Sequence, residues 1–341
     1  MKETMKDVLS GSNTSIEILK QWDAMDEEFY TPGVLIRVRQ GKGSLREVFG
    51  ETKEGKTTFL TYMLDDKPLL QLQGEEYFCP TCEKIIRSGY GLEQTFHLDM
   101  ANINKDKEVV ALEEAVKYIS PILGLLPSGF YVILDTCLHP TDGNGNLFWD
   151  KLKDTPSDGI RQYYHGNCQW GKLRPYFTVA TQPREKCNKE RVEYYRQHSN
   201  GRAIAYYIDG YITALIDGHH KTLAAAMDHR DVNSLVIMSG HCVFHSEPYE
   251  DRYRTSYRIG DMNFTMEDLD ISEDELRELD GNNMLEYVSP ENLEKICNGL
   301  YTESLKAKLP IDTKGLADWY PMAEEQAKIE RGKILLSKGA E

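Results

Sequence analysis

No run of apolar residues in this chain is long enough to cross a bilayer as a helix. The most apolar stretch, 119–134, is interrupted by Pro121, Pro127 and Gly129, whereas a spanning helix needs about 20 apolar residues in a row. The opening residues, MKETMKDVLSGSNTS, have no apolar core behind their lysines and do not read as a secretory signal. Cysteine is sparse and odd in number, seven in 341 residues. A chain this long needs no covalent staples, so the expected compartment is a reducing cytoplasm. Positive charge is in deficit: 40 Lys and Arg face 55 Asp and Glu, for a net charge of −15. Such a chain repels phosphate backbones, and it has neither a Lys/Arg-rich stretch nor a helix-turn-helix pattern, so a nucleic-acid partner is not expected. Internal repeats and low-complexity tracts are also lacking. Hydrophobic residues make up 40% of the chain and charged residues 28%, which excludes disorder throughout.

The length suggests two or three domains, and the pattern suggests an α+β protein divided at 1–125, 126–260 and 261–341. The first region reads as β-rich. Residues 34–39 end in alternating apolar and charged residues, as a half-buried strand does. Residues 45–49 and 57–64 flank a charged, Gly-containing turn and predict a hairpin. Residues 108–126 start with helical spacing, and the helix is expected to stop near Pro121. Residues 129–135 predict a strand. Farther on, Asn188 should cap a helix over 188–198, and 203–208 and 211–216 should pair around Asp209-Gly210. A helix is expected over 221–227 and a strand over 232–238. The acidic last region predicts helices, with a capping box from Ser272 to Glu275, Pro290 at a first helical position, and a charged amphipathic segment at 323–338.

Several motifs invite chemistry. Residues 50–57, GETKEGKT, satisfy the P-loop pattern letter by letter. Glu51 and Glu54 would face the phosphates, however, and the run from Thr57 to Met63 favours a strand where a P-loop needs a helix. A charged hairpin tip is the better reading. Cys79-Pro-Thr-Cys82 resembles a zinc knuckle, because a C-x-x-C turn brings two thiolates to one tetrahedral metal. Cys137 and His139 are the best second pair for Zn2+, since alternate strand residues can share a face; His97 and Cys168 are substitutes. A knuckle without metal and a redox pair are the alternatives. The polar run at 142–146 lacks the Gly and Glu that a calcium loop requires at its sixth and twelfth positions. His241 and His245 follow a strand and sit too far apart along it to share a metal.

At Asp217-Gly218-His219-His220-Lys221 motif and context agree. A strand enters a tight turn and a helix starts at once, so unpaired amides and the positive end of the helix dipole meet. His219, His220 and Lys221 add donors and charge there, with Thr222 next to them. The set predicts an anion site, most naturally for phosphate; a turn carrying two surface histidines is the alternative, since helix N-termini are common.

Residues 181–238 resemble the ParB/sulfiredoxin-like superfamily. The resemblance is carried by Pro183-Arg-Glu185, by the Asn188-Lys-Glu-Arg-Val192 helix start, by the hairpin at Asp209-Gly210, by the D-G-H-H-K signature and by Ala224-Ala-Ala226. The D-G-H-H form is most similar to the free-serine-kinase branch. This implies a ParB/sulfiredoxin-like α/β core over 126–260. It implies that Asp217, Gly218, His219, His220, Lys221 and Thr222 bind a nucleotide (ATP, ADP or CTP) carried with Mg2+. It also implies a phosphotransferase or nucleotide hydrolase activity, with Glu185 as base toward a small hydroxyl-bearing acceptor and His220 as its catalytic companion. The signature's usual final Arg is Lys221, and no Cys lies within it, which disfavours sulfinic-acid reduction. A non-catalytic nucleotide-sensing or protein-interaction module on the same fold is the alternative, because one fold hosts many functions.

Overall fold

The computed structural model describes residues 4–6, 13–23, 31–55, 57–75, 84–93, 110–140, 149, 161–163, 177–198, 201–209, 212–228, 230–246, 253–260, 262–276 and 286–300. These residues form a mixed α+β structure built on two sheets. The larger contains β1 (Thr4–Lys6), β2 (Ser15–Trp22), β3 (Gly33–Arg39), β8 (Gly129–Leu138), β10 (Phe177–Val179), β11 (Ala203–Asp209), β12 (Ile212–Asp217), β13 (Val232–Ser246), β14 (Tyr253–Ile259) and β15 (Met262–Phe264). Its strand order is β1-β2-β3-β8-β13-β11-β12-β10, with β14 and β15 continuing from the far half of β13. Neighbours are antiparallel except for β11 with β13 and β10 with β12. The smaller sheet contains β4 (Leu45–Glu51), β5 (Thr57–Leu64), β6 (Lys67–Glu75), β7 (Lys84–Ser88), β9 (Arg161–Tyr163) and β16 (Glu286–Val288), in the order β16-β4-β5-β6-β7-β9.

Strand alternation explains why the larger sheet is covered on both faces. Along β8, Tyr131 and Ile133 join the core that faces the smaller sheet. Phe130, Val132 and Leu134 join a second core on the opposite face. The same division runs through β11, where Ile204 and Tyr206 face one way and Ala203 and Ala205 the other. With both sides buried, these strands read as continuous apolar runs. Between the sheets, the Tyr62 and Tyr206 rings stack with centroids 4.1 Å apart, and Ser239 Oγ donates to Glu47 at 3.0 Å.

Residues 52–55, within the P-loop match, lie at the tip of the β4–β5 hairpin. Thr52 and Thr57 close it through a backbone bond, and Gly55 turns it at φ +68°. The P-loop match therefore has no helix behind it. Helix α1 (Leu112–Leu123) buries Leu112, Ala115, Val116, Ile119, Ile122 and Leu123, the 3–4 spacing of one helical face. It ends near Pro121 as expected, two residues beyond it, so that Pro121 lies in the last turn. An interior Pro costs about 3 kcal/mol, but Ile122 and Leu123 are fully buried. Burying two such side chains contributes about 1.5–3 kcal/mol each, which offsets the lost bond.

Helix α2 (Lys189–Gln197) is capped by Asn188, whose side chain accepts from the Arg191 amide. Helix α3 (His219–Met227) starts two residues earlier than the sequence suggests. Strand β13 runs to Ser246, so positions 241 and 245 lie inside a strand rather than after one. Helix α4 (Met266–Leu269) and the Ser272–Glu275 capping box are present. Helix α5 (Pro290–Asn298) has Pro290 at its start and Ser289 as cap.

Strands from all three sequence regions are interleaved. β3 pairs with β8, and β16 pairs with β4. The helical expectation for the last region missed β15 and β16, three residues each, of which β16 extends an edge of the smaller sheet. The segments 142–146 and 323–338 lie outside the described residues. Among the described residues no helix is long and apolar enough to cross a membrane.

Candidate functional site

Strand β12 is an inner strand of the larger sheet, and α3 begins after a single intervening residue. Gly218 makes that junction in the left-handed region, at φ +97° and ψ +20°. A Cβ there would lie 2.8 Å from the Ala203 Cβ and 3.0 Å from its Cα. Only glycine meets both conditions. Ala224, Ala225 and Ala226 are buried to within 1% of their surface and let the helix sit close to the sheet. The first helical bond runs from the Thr222 amide to the Gly218 carbonyl, at 2.8 Å. The amides of His219, His220 and Lys221 precede it and have no carbonyl one turn back. No side chain caps this end.

The side chains of the predicted set point in different directions. His219 is 3% exposed, and the Thr181 amide donates to its Nε2 at 3.2 Å. Burial pushes its pKa down to about 3, and the neighbouring His220 adds to that. His219 is therefore neutral at ordinary pH, and its Nε2 is an acceptor where the sequence suggested a phosphate donor. His220 is half-buried, and the Asn188 amide donates to its Nε2 at 3.0 Å. Its pKa is lowered first by burial and then by the Arg191 charge, against a backbone hydrogen bond at Lys186 that raises it.

Lys221 turns back beneath the helix. Its Nζ donates to the Arg202 carbonyl at 3.2 Å and lies 5.4 Å from the Tyr195 ring centroid. The point charge expected at the phosphate is thus committed to the protein's own backbone and an aromatic face. Thr222 is fully buried, and its hydroxyl and Asp217 Oδ2 have no hydrogen-bond partner among the described residues.

Glu185 lies on an exposed 3₁₀ turn, Arg184–Lys186, that links β10 to α2. The Asn188 bond brings that turn beside His220, so the expected base and its companion belong to one neighbourhood. Two members were not singled out from the sequence. Trp149 sits at φ +61°, with its indole 5.2 Å from the His219 ring and edge-on to His220 at 5.5 Å. Its Nε1 donates to the Gln182 carbonyl at 2.6 Å. It lies about 70 residues before the histidines in a stretch with no motif, so no spacing rule could find it. Arg191 brings a positive charge to His220, yet in sequence it reads as an ordinary surface residue of α2.

Cys79 and Cys82 lie outside the described residues, as do His97 and Cys168. Cys137 is exposed, and its thiol donates to Asn233 Oδ1 at 3.3 Å. Burial pushes that thiol up, and Asp231 and then Asp135 push it further, which disfavours the thiolate a metal needs. His139 is buried with Nδ1 2.6 Å from Asp231 Oδ1. Among the described residues no group of three or more His, Cys, Asp and Glu is placed to hold a metal ion. Compared with protein-family models, with curated proteins and with solved structures, the chain matches none.

Proposed function

We propose that this chain is a ParB/sulfiredoxin-like domain protein that binds a nucleotide or another small phosphate-bearing molecule at the start of α3. The observation that carries this is the turn at Gly218. Its left-handed backbone and the approach to Ala203 hold three amides of a nine-residue helix at an end with no side-chain cap. Such an end attracts anions through its N–H groups and the dipole. In this reading the amides of His219, His220 and Lys221 take the phosphate oxygens, and Arg191 supplies the positive charge that Lys221 does not. Support for the fold reading comes from element order: β10, the 3₁₀ turn, α2, the β11–β12 pair, α3 and β13 succeed one another as the resemblance implies.

Glu185, on the turn beside His220, is the base for transfer to a small acceptor hydroxyl. Phosphoryl transfer depends mainly on positioning and charge neutralisation. A non-catalytic nucleotide-sensing module is the second reading. It is favoured by one observation, that both histidines already accept bonds from the protein's own backbone.

A thermal-shift scan against ATP, ADP, CTP and GTP, each with Mg2+, tests the binding claim. A ligand specific for the folded state stabilises it by about 2.7 kcal/mol at a hundred times its Kd. A shift with at least one nucleotide is expected, and no shift with any of them ends this reading. Turnover separates the two readings: Glu185→Gln should keep binding and abolish transfer.

A further inference from the structure

Two adjacent histidines tie down the two ends of one segment. Residues 181–188 run from the end of β10 to the start of α2, with Glu185 near the middle. The Thr181 amide donates to His219 Nε2 at 3.2 Å, and the Asn188 amide donates to His220 Nε2 at 3.0 Å. We propose that His219 and His220 are positioning residues that act as a clasp, holding the 181–188 segment shut against the start of α3, and that the clasp opens from its His220 end. This needs no ligand and stands independently of the phosphate reading.

The argument is one of acceptors. A ring nitrogen can receive a backbone N–H only through its lone pair. A proton placed on that nitrogen turns the contact into two opposed donors, and the bond is lost. The two ends differ in their reserves. At the His219 end the ring is enclosed, and the Thr181 hydroxyl also donates to the Leu215 carbonyl. Gln182, one residue on, accepts from Trp149. Burial holds this ring neutral far into acid.

The His220 end is half-open. Facing the His220 ring are Arg191 from α2, the Trp149 indole, the Lys186 backbone and, on its own helix, His219. Burial and Arg191 keep the ring neutral around pH 7, and among the described residues no carboxylate shifts it. Acidification therefore releases Asn188 before Thr181, and the turn bearing Glu185 loosens from its α2 side.

Amide hydrogen exchange on the full chain without added ligand tests this. At neutral pH, His220→Ala should lower protection of the Asn188 amide about five- to tenfold, the worth of one hydrogen bond. Thr181 and the core amide of Val236 on β13 should be unchanged. His220→Gln, whose side-chain oxygen accepts but does not titrate, should restore protection. In the unaltered chain Asn188 protection should fall below the ordinary histidine range while Thr181 stays protected, and His220→Gln should abolish that fall. Unchanged Asn188 protection in His220→Ala overturns the clasp, and so does a loss shared equally by Val236. If His220→Ala does not fold, persistence of the pH-dependent fall in His220→Gln overturns it instead. Because no phosphate is present, failure of the clasp and failure of the phosphate site are read separately.

Discussion

Gly218 and Ala203 approach so closely that a Cβ on the first would stand 2.8 Å from the Cβ of the second. That relationship fixes how α3 leaves the sheet, and so where its first-turn amides point. Gly218→Ala faces two penalties. A non-glycine residue held in a sparsely populated backbone region costs about 1–3 kcal/mol, and the overlap with Ala203 adds to it. The expected outcome is a lower urea midpoint together with weaker nucleotide binding. An unchanged midpoint would show that the turn tolerates a side chain.

Glu47 sits between the sheets, and its pKa is raised by burial, partly countered by hydrogen bonds from Tyr206 and Ser239. Among the described residues no positive charge shifts it, and the same carboxyl contributes to the upward shifts of Tyr62, Tyr131 and Tyr206. A carboxyl raised in the folded state binds more protons there than in the unfolded chain. Its stabilisation is therefore complete below the ordinary carboxylate range and declines as pH rises through the folded value. Urea midpoints from about pH 5 to about pH 8 should fall less steeply in Glu47→Gln, with a gain at the upper end. Parallel curves for the two proteins would count against a raised Glu47.

Lys221 Nζ is bonded to the Arg202 carbonyl and lies over Tyr195. Lys221→Met keeps the buried stem and removes the charge. Nucleotide affinity should stay within about twofold, while stability drops by about 1 kcal/mol for the lost bond and ring contact. A tenfold loss of affinity measured by calorimetry would return Lys221 to the phosphate.

Arg202 grips Asp135 through two bonds, at 3.0 and 2.6 Å, and also donates to the Val110 carbonyl. The Arg202 side chain is 11% exposed. Asp135→Ala leaves that guanidinium without its carboxylate. Removing a partner from a charged, mostly buried hydrogen bond should cost about 2 kcal/mol by chemical unfolding. Because the Arg202 carbonyl also receives Lys221, the variant's exchange protection should fall first at the Thr222 amide, the first bonded amide of α3.

Much of the local structure was legible. The β4–β5 hairpin shows in its two apolar runs around a charged tip, and α2 shows in Asn188 at the cap position. The junction from β12 to α3 shows in Asp-Gly followed by good helix formers. Pro121 marked the end of α1 to within two residues; the helix runs on to Leu123 because the burial of Ile122 and Leu123 outweighs the local penalty, which only packing reveals. β16 escaped notice because three residues carry no periodicity, and an edge strand is defined by the partner it meets.

The sequence by itself determined the central strands and the longer helices, and, among the described residues, the one α-helix that opens on a glycine. Those depend on backbone propensity and spacing, which are local. What tertiary structure alone decided is the use of each side chain at that place. His219, His220 and Lys221 are consecutive and all look like phosphate donors. Yet the sheet beneath buries one, the Asn188 amide occupies the second, and the Arg202 carbonyl captures the third. A polar group's role is set by which partner reaches it first and how much water remains around it, and both are properties of chain segments far apart in sequence.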